Sequence, residues 1–210
     1  MIEKLKNKKG NYLPCEEVIE CLGKMKAERG GLCVAEIGVD IGATAVEILR
    51  LLGKDDKYFF FDVDSVVREL NVDFRELNTE AQLFGIGNSL KTLDSYAWSL
   101  ARLKIEQDTK FDLVYLDGAH TFLHDASATA VLKEMMKIGG IIVFDDLDWT
   151  ISSSPTCNPD KNPSVLDRFT KEQIDTCQID YVVRTIMDPD KRYRKLDMST
   201  SRRALYERCS

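Results

Sequence analysis

Two short apolar stretches, each ending in acidic residues, constrain the fold of this chain most strongly. Residues 113–116 run into Asp117, and residues 141–144 run into Asp145 and Asp146. The segment between them is long enough for a crossover helix, so the two stretches are predicted to be parallel, adjacent strands. Their carboxyl ends then lie side by side. Three crowded carboxylates repel one another unless a cation or a ligand balances them, so this edge is predicted to be a functional site.

The same alternation of strands and helices extends over most of the chain. Apolar segments predict further strands, and apolar residues at helical spacing predict the helices between them. The predicted strands span residues 33–37, 58–61, 82–86, 113–116 and 141–144, and the predicted helices span residues 14–30, 43–52, 93–105 and 121–137. This pattern predicts an α/β fold with an open, mostly parallel sheet and helices on both faces. In such sheets ligands bind beyond the carboxyl ends of the strands.

The C-terminal part is predicted to complete a seven-stranded sheet with an antiparallel hairpin. Residues 150–163 contain three of the five prolines and are predicted to form a loop, and residues 165–174 return to helical spacing. Residues 181–186 and 203–208 have no helix between them, so they are predicted to pair as the hairpin. We predict one structural domain, in which residues 1–30 form an N-terminal helical cap and residues 31–210 form the sheet with its helices.

Charge and cysteine usage narrow the possible partners. The 210 residues carry a net charge of −6, which gives no sign of nucleic-acid binding. The six cysteines form no CxxC pair and no zinc-like spacing, which favours reduced thiols in a cytoplasmic protein. No apolar run approaches the ~20 residues of a membrane span, and no signal-peptide core follows the lysine-rich start. We therefore expect a cytoplasmic protein with neither a membrane nor a nucleic-acid partner, and a homodimer is left open.

Glycines and acids follow the first predicted strand in a pattern that suits a cofactor turn. Glu36, Gly38 and Gly42 lie between a strand and a helix, where glycine permits a tight turn and the close approach of a ligand. The spacing differs from the GxGxxG of dinucleotide sites, and Glu36 and Asp40 would repel a diphosphate. A ligand with a positive ammonium group suits these acids better. The alternative is a plain turn between a strand and a helix.

Polar residues also follow the second and third predicted strands. Asp62 ends the second strand, where acids accept hydrogen bonds from a ribose diol in nucleoside-binding sheets. Asp64 is the alternative acid, but it lies two residues further into the loop. Asn88 and Ser89 follow the third strand and are suited to hydrogen-bond an adenine edge, although Gly-Asn is also ordinary turn chemistry.

With these motifs, the sequence resembles class I S-adenosylmethionine-dependent methyltransferases from about residue 33 to residue 148, and the closing hairpin fits as well. It looks most similar to the divalent-metal-dependent O-methyltransferases of the catechol, caffeoyl-CoA and macrolide-sugar kinds. The resemblance implies a Rossmann-like fold and a turn that holds the methionine end of S-adenosylmethionine. The cofactor-binding residues that it implies are Glu36, Gly38, Asp40, Gly42, Asp62, Asn88, Ser89 and Asp117. Asp40 departs from the family pattern by replacing a second glycine, and Asn88 departs from it by replacing an aspartate.

The resemblance further implies that Asp117, Asp145 and Asp146 hold Mg²⁺ or another divalent cation. Hard carboxylate oxygens suit such an ion, which is able to orient an acceptor hydroxyl and lower its pKa. His120 stands three residues after Asp117, where catechol-type enzymes have a general base. An ordinary histidine pKa near ~6.5 suits proton abstraction, so Asp117 and His120 are the candidate catalytic residues. The alternative for His120 is a structural role that caps the following helix.

Other polar residues near these motifs are given structural roles. We expect His124 on the surface and Asp148 in a loop. Arg202 and Arg203 are expected to be surface and strand charges rather than substrate clamps. Trp149 fits either a wall of the acceptor pocket or core packing.

The predicted function is the transfer of a methyl group from S-adenosylmethionine to a hydroxyl of a small molecule with Mg²⁺ assistance. One alternative keeps the methyl donor but uses no metal and takes an amine acceptor. Another is a protein that binds S-adenosylmethionine or a nucleotide without catalysis. A nicotinamide dehydrogenase is disfavoured because Asp40 and the missing GxGxxG motif do not suit a pyrophosphate.

Overall fold

A seven-stranded sheet forms the centre of the structure, a computed structural model that describes residues 13–78, 80–91 and 93–210. The strand order is β3-β2-β1-β4-β5-β7-β6. The first five strands are mutually parallel, whereas β7 is antiparallel to both β5 and β6. The strands are β1 Cys33–Ile37, β2 Lys57–Val63, β3 Gln82–Asn88, β4 Phe111–Leu116, β5 Met136–Phe144, β6 Tyr193–Lys195 and β7 Ala204–Arg208.

Helices cover both faces of this sheet. The α-helices are α1 Glu16–Glu28, α2 Ala43–Leu51, α3 Asp64–Leu77, α4 Tyr96–Gln107, α5 Phe122–Leu132, α6 Lys171–Asp175 and α7 Gln178–Val182. One buried apolar cluster joins the sheet to α1, α2 and α3, and a second joins it to α4, α5 and α7. The predicted α/β architecture, with helices on both faces of a mostly parallel sheet, is confirmed.

Strand β2 shows why a run of consecutive apolar residues forms a central strand. Successive side chains of a strand point to opposite faces, so a strand covered on both sides is apolar throughout. Tyr58 and Phe60 belong to the cluster on the α1–α3 face, and Phe59 and Phe61 belong to the cluster on the other face. All four side chains are buried.

The register of the parallel strands brings their carboxyl ends to one edge of the sheet. Ile37, the last residue of β1, lies beside Phe61 of β2 and beside Leu116 of β4. Leu116 in turn lies beside Phe144 of β5. The residues that follow these four strands therefore meet at the point where the strand order reverses, between β1 and β4.

The C-terminal hairpin differs from the prediction. The predicted strand at residues 181–186 is wrong, because this segment contains the end of α7 and the π-helix Val183–Met187. The buried residues Ile179, Val182 and Val183 of this region recur at helical spacing, although the β-branched run over residues 181–186 is also typical of a strand. The hairpin pairs β6 with β7 instead, so the predicted strand over residues 203–208 is correct from Ala204 onward but its predicted partner is not.

Smaller differences concern the bounds of individual elements. Helix α3 has no counterpart among the predicted elements. Helix α5 ends at Leu132 and β5 begins at Met136, so the predicted helix over residues 121–137 is too long and the predicted strand is too short. Residues 165–174 contain the end of the 3₁₀ helix Pro163–Asp167 and most of α6. The first 12 residues of the predicted cap lie outside the described part of the chain. Within that part, no helix has both the length and the apolar character needed to cross a membrane.

A buried acid ties helix α1 to three strands. Asp112 of β4 accepts a hydrogen bond from the backbone N–H of Cys33 at 2.7 Å and pairs with Lys137 at 2.7 Å and with Arg29 at 3.1 Å. Its side chain is almost fully buried, whereas both cations are partly exposed. Asp112 therefore accepts a hydrogen bond from the backbone of β1 and balances two positive charges at the same time.

We expect Asp112→Ala to destabilise the fold by ~2–3 kcal/mol, because it leaves a buried N–H without an acceptor and removes the partner of two cations. For a chain of this size the melting temperature should fall by roughly 5–10 °C. Calorimetry of the purified variant measures this. Glu20→Ala, which removes an exposed ion pair with Lys24, is the matched control and should have little effect. Equal melting temperatures for the two variants would contradict the structural role of Asp112.

Candidate active site

A cavity of about 980 Å³ opens at the carboxyl edge of the sheet. Ten of the eleven residues singled out from the sequence line it, and the eleventh, Gly42, forms the N-terminal cap of α2 beside it. The ten are Glu36, Gly38, Asp40, Asp62, Asn88, Ser89, Asp117, His120, Asp145 and Asp146. The sheet topology thus brings together residues that are up to 110 positions apart in the sequence.

The turn after β1 requires its glycines. Gly38 and Gly42 have φ angles of 84° and 79°, in the left-handed region that favours glycine. A Cβ atom on Gly38 would lie 2.0 Å from the carbonyl oxygen of Asp117, so β1 and β4 approach too closely for any side chain here. Asp40, which also has a positive φ of 47°, occupies the same turn.

Asp62 holds this turn through its carboxylate. One oxygen accepts hydrogen bonds from the backbone N–H groups of Val39 and Asp40, at 2.9 and 2.8 Å. The other accepts the N–H of Val63 at 2.7 Å. The acid predicted to bind a ribose diol therefore also shapes the glycine turn. Since a carboxylate oxygen has two lone pairs, the oxygen that accepts only from Val63 keeps capacity for a ligand.

Glu36 and Asp145 are the two most buried acids that line the cavity. The side chain of Glu36 lies at the end of β1 and accepts a hydrogen bond from the Tyr58 hydroxyl at 2.5 Å. Burial raises the pKa of Glu36 to about 8, although the hydrogen bond from Tyr58 opposes the shift. In the absence of a positive ligand this carboxyl group therefore stays largely protonated near neutral pH.

Some of the polar groups at the end of β3 already form hydrogen bonds within the protein. The side-chain amide of Asn88 donates to Ser99 at 3.2 Å, and the backbone N–H of Ser89 donates to Asp94 at 2.6 Å. Asp94 also lines the cavity and was not singled out from the sequence. The hydrogen bonds from Ser89 hold the pKa of Asp94 below its usual range.

Two of the three predicted acids at the ends of β4 and β5, Asp117 and Asp145, contact a buried tyrosine. The hydroxyl of Tyr115 lies 3.0 Å from an oxygen of Asp117 and also contacts Asp145. Burial and the nearby charges of Asp145 and Asp146 raise the pKa of Asp117. Burial also pushes the pKa of Asp145 upward, but the hydrogen bond from Tyr115 and the charges of two arginines outweigh it and leave a net lowering.

Those arginines, Arg202 and Arg203, precede β7 and line the cavity. They were expected to be surface and strand charges. Arg202 instead pairs with Asp145 at 2.9 Å and with Asp146 at 2.7 Å, and Arg203 pairs with Asp145 at 3.1 Å. The pairing of β5 with β7 explains this placement, because Ala204 lies opposite Phe144 and the residues just outside that pair therefore face each other.

Helix α1 joins the same charge network. Glu17 pairs with Arg203 at 3.0 Å, so a chain of ion pairs runs from α1 through Arg203 to Asp145. Glu17 was not among the residues predicted to form the site. The structure makes it part of the cavity wall next to the acids of β4 and β5.

His120 faces two of the acids. Its Nδ1 atom lies 3.4 Å from an oxygen of Asp146 and 3.9 Å from an oxygen of Asp117. The ring packs near that of Trp149, with centroids 5.2 Å apart, so Trp149 contacts a residue of the cavity. His124, which was expected on the surface, lines the cavity and hydrogen-bonds Thr121 at 2.8 Å.

A divalent cation fits part of this donor set. Among the described residues, Asp117, His120 and Asp146 each bring one potential ligand atom to within 4.8 Å of the others. Carboxylate oxygens are donors that Mg²⁺ and similar ions prefer. Asp145, the third predicted ligand, is not in this group. Its two oxygens already accept from Arg202, Arg203 and Tyr115 and from the backbone N–H of Asp146.

A family model described as a methyltransferase domain matches residues 35–147, which is more than half of the chain. The chain belongs to this methyltransferase family. The resemblance inferred from the sequence, to class I S-adenosylmethionine-dependent methyltransferases, is thereby confirmed. No curated protein matches the chain in sequence.

Solved structures of methyltransferases share the fold. An O-methyltransferase from Bacillus cereus in complex with SAH is 12% identical, with a TM-score of 0.61, over 98% of this chain and 86% of that one. The O-methyltransferase TomG from Streptomyces achromogenes, in complex with SAM, is 11% identical, with a TM-score of 0.61, over 95% and 82%. MycE, a methyltransferase of the mycinamycin pathway in complex with Mg and SAH, is 17% identical, with a TM-score of 0.52, over 85% and 45%. At these identities the likeness shows the fold of the methyltransferase, not its substrate.

We expect Gly38→Ala to remove cofactor binding by the methyltransferase, because the added Cβ collides with the backbone of Asp117 and the positive φ disfavours alanine. Affinity for S-adenosylhomocysteine, measured by calorimetry, should fall at least about tenfold, a change of ~1.4 kcal/mol. Gly23→Ala is the matched control, because nothing lies within 4 Å of a Cβ there. Unchanged affinity in a folded Gly38→Ala protein would show that this turn does not contact the ligand.

The buried carboxyl group of Glu36 predicts a pH dependence of stability. Its pKa is about 8 in the folded ligand-free protein and ~4.3 in the unfolded chain. Between these values the folded state holds the extra proton, so its stability falls as pH rises, by up to ~1.4 kcal/mol per pH unit. Glu36→Gln removes this loss. Denaturant unfolding at pH 5 to 8 measures the free energy of unfolding of both proteins. The value for Glu36→Gln should rise relative to that for wild type as the pH increases. Parallel pH profiles for the two proteins would refute the raised pKa of Glu36.

Proposed function

We propose that this methyltransferase transfers the methyl group of S-adenosylmethionine to a hydroxyl oxygen of a small molecule, with the help of a divalent cation such as Mg²⁺. The observation that carries the proposal is the shared cavity. It joins the glycine turn after β1 to the acid and imidazole groups at the ends of β4 and β5.

The cofactor half of the cavity suits the methyl donor. S-adenosylmethionine carries a positive ammonium group and a positive sulfonium, and the acids Glu36, Asp40 and Asp62 line this half. A positive ligand favours the ionised form of the Glu36 carboxyl group. We propose that Glu36, Gly38, Asp40 and Gly42 receive the methionine end. The ribose is assigned to Asp62, and the adenine is assigned to Asn88 and Ser89.

The acceptor half is suited to proton removal. In the proposed reaction the hydroxyl oxygen attacks the methyl carbon, an O–C bond forms, the S–C bond breaks and S-adenosylhomocysteine leaves. The hydroxyl proton passes to Nδ1 of His120. Oxygens of Asp146 and Asp117 lie 3.4 and 3.9 Å from this atom and would stabilise the positive charge that the ring gains.

Asp117 and Asp146 would hold the divalent cation, because each turns one oxygen toward His120. The second oxygen of Asp117 contacts Tyr115, and that of Asp146 contacts Arg202. A bound cation at this place would orient the acceptor hydroxyl and lower its pKa. Mg²⁺ often uses only one or two protein carboxylates and completes its shell with water and substrate oxygens. We therefore propose that Asp145, the third ligand predicted from the sequence, anchors the arginines instead.

Metal-independent methylation of an amine is the second candidate. Arg202 and Arg203 already balance part of the negative charge of the cluster, which favours a site that needs no added cation. The cytoplasmic location, the absence of nucleic-acid and membrane partners and the homodimer left open earlier remain predictions.

The test uses the purified full-length protein with deuterated S-adenosylmethionine and a panel of catechols, sugars and amines. Mass spectrometry assigns the methyl group to oxygen or nitrogen, and parallel reactions contain either Mg²⁺ or a chelator. We expect O-methyl products and loss of activity in the chelator. N-methyl products together with full activity in the chelator would establish the second candidate instead.

Variants assign the residues in the same assay. His120→Gln should lower kcat at least ~100-fold while the affinity for S-adenosylhomocysteine is retained, because a general base contributes about that much. Asp146→Asn should remove stimulation by Mg²⁺. Stimulation in Asp145→Asn should remain if Asp145 does not bind the cation, and its loss would return Asp145 to the ligand set.

A further inference from the structure

Arg202 contacts the two neighbouring carboxylates that follow β5. Its Nε atom pairs with Asp145 at 2.9 Å, and one of its terminal nitrogens pairs with Asp146 at 2.7 Å. A planar guanidinium is suited to span two acids in this way, since its donors lie in a fixed fork. The positive charge of Arg202 therefore rests on Asp146, one of the two acids proposed to hold the divalent cation.

Arg203, by contrast, is held in place by acids other than Asp146. Only 21% of its side chain is exposed, and it is held between Asp145 and Glu17 of helix α1. Tyr115 and the backbone N–H of Asp146 also bind Asp145. Asp145 would thus keep several partners if Arg202 moved away.

The side chain of Arg202 is free to leave without disturbing the backbone. The backbone carbonyl oxygen of Arg202 accepts a hydrogen bond from the N–H of Leu147 at 2.9 Å, and this bond fixes the main chain beside the acids. The side chain itself is 52% exposed, so a conformation directed into solvent is open to it. The positive side chain of Arg202 is therefore able to turn away from Asp146 while its backbone stays next to that acid.

We infer that Arg202 competes with the divalent cation for Asp146 and thereby sets the affinity of the cation site. The inference rests on the proposed cation. Two positive groups at one carboxylate repel each other, so cation binding is favoured in those molecules whose Arg202 points into solvent. When only a fraction of the protein is competent to bind, the apparent affinity is reduced by that fraction.

Removing the charge of Arg202 should therefore tighten cation binding. Mn²⁺ is the probe, because the electron paramagnetic resonance signal of free aqueous Mn²⁺ falls as the ion binds, and this readout does not depend on activity. We expect R202Q to lower the Kd for Mn²⁺ by about tenfold. R202K keeps the charge but cannot span both acids, so its Kd should lie between those of wild type and R202Q.

Two controls locate the effect. R194Q removes an exposed arginine paired with Glu207 and should leave the Kd for Mn²⁺ at its wild-type value. The double variant R202Q/D146N should lose the tighter binding, because the acid for which the two cations compete is gone. A melting curve for each variant shows that the fold is retained, and R202K supplies the comparison if R202Q is poorly folded.

An unchanged or weaker affinity of R202Q would overturn the competition, and so would tighter binding that persists in R202Q/D146N. If Mn²⁺ binds to wild type with no gain in R202Q, the inference fails and the proposed cation stands. If R202Q binds Mn²⁺ more tightly than wild type does, and wild type methylates hydroxyls without any metal, the competition holds and the metal dependence fails. If neither protein binds Mn²⁺, both the proposed cation site and the competition by Arg202 are wrong. The products of the methylation assay still decide whether the protein methylates oxygen.

Discussion

The negative charge at the carboxyl edge of the sheet is the constraint on which the rest of the site depends. Parallel strands β4 and β5 end side by side, so Asp117, Asp145 and Asp146 cannot avoid one another. Asp145, the least exposed of the three acids, is kept ionised by Tyr115, Arg203 and Arg202. This balance also positions other parts of the molecule, because the arginines belong to the segment before β7 and one of them holds helix α1.

The placement of the residues around the glycine turn could largely be predicted because its determinants are local. Apolar runs that end in acids define the parallel strands, and the glycines of the first turn are required by the contact between Gly38 and Asp117. The five parallel strands and the residues that follow them could therefore be read from short segments. The strand predicted over residues 181–186 was wrong because the apolar spacing of this β-branched run suits a helix as well as a strand. Only the packing of Ile179, Val182 and Val183 in the core decides for the helix.

The charge-balancing residues could not be predicted for a different reason. Glu17, Arg202 and Arg203 are separated from Asp145 by 57 positions or more, and no local pattern connects them. Their meeting depends on the register of the antiparallel pair β5–β7, which places Ala204 opposite Phe144. With Tyr193–Lys195 unrecognised as the hairpin partner, the sequence offered no way to fix that register. A pair of arginines directly before a strand then resembles ordinary surface charge.

Glu17, Arg202 and Arg203 share a further property: all three lie outside residues 35–147, the region that matches the methyltransferase family. The chain thus has a centre that matches the family and supplies the glycine turn and the three acids, and two flanking segments whose side chains line the same cavity. Substitutions in these flanking segments alter the charge and shape of the cavity without touching the strands that carry Gly38 and Asp62. Methyltransferases that share such a centre but differ in their flanking segments are thus able to methylate different acceptors with the same methyl donor.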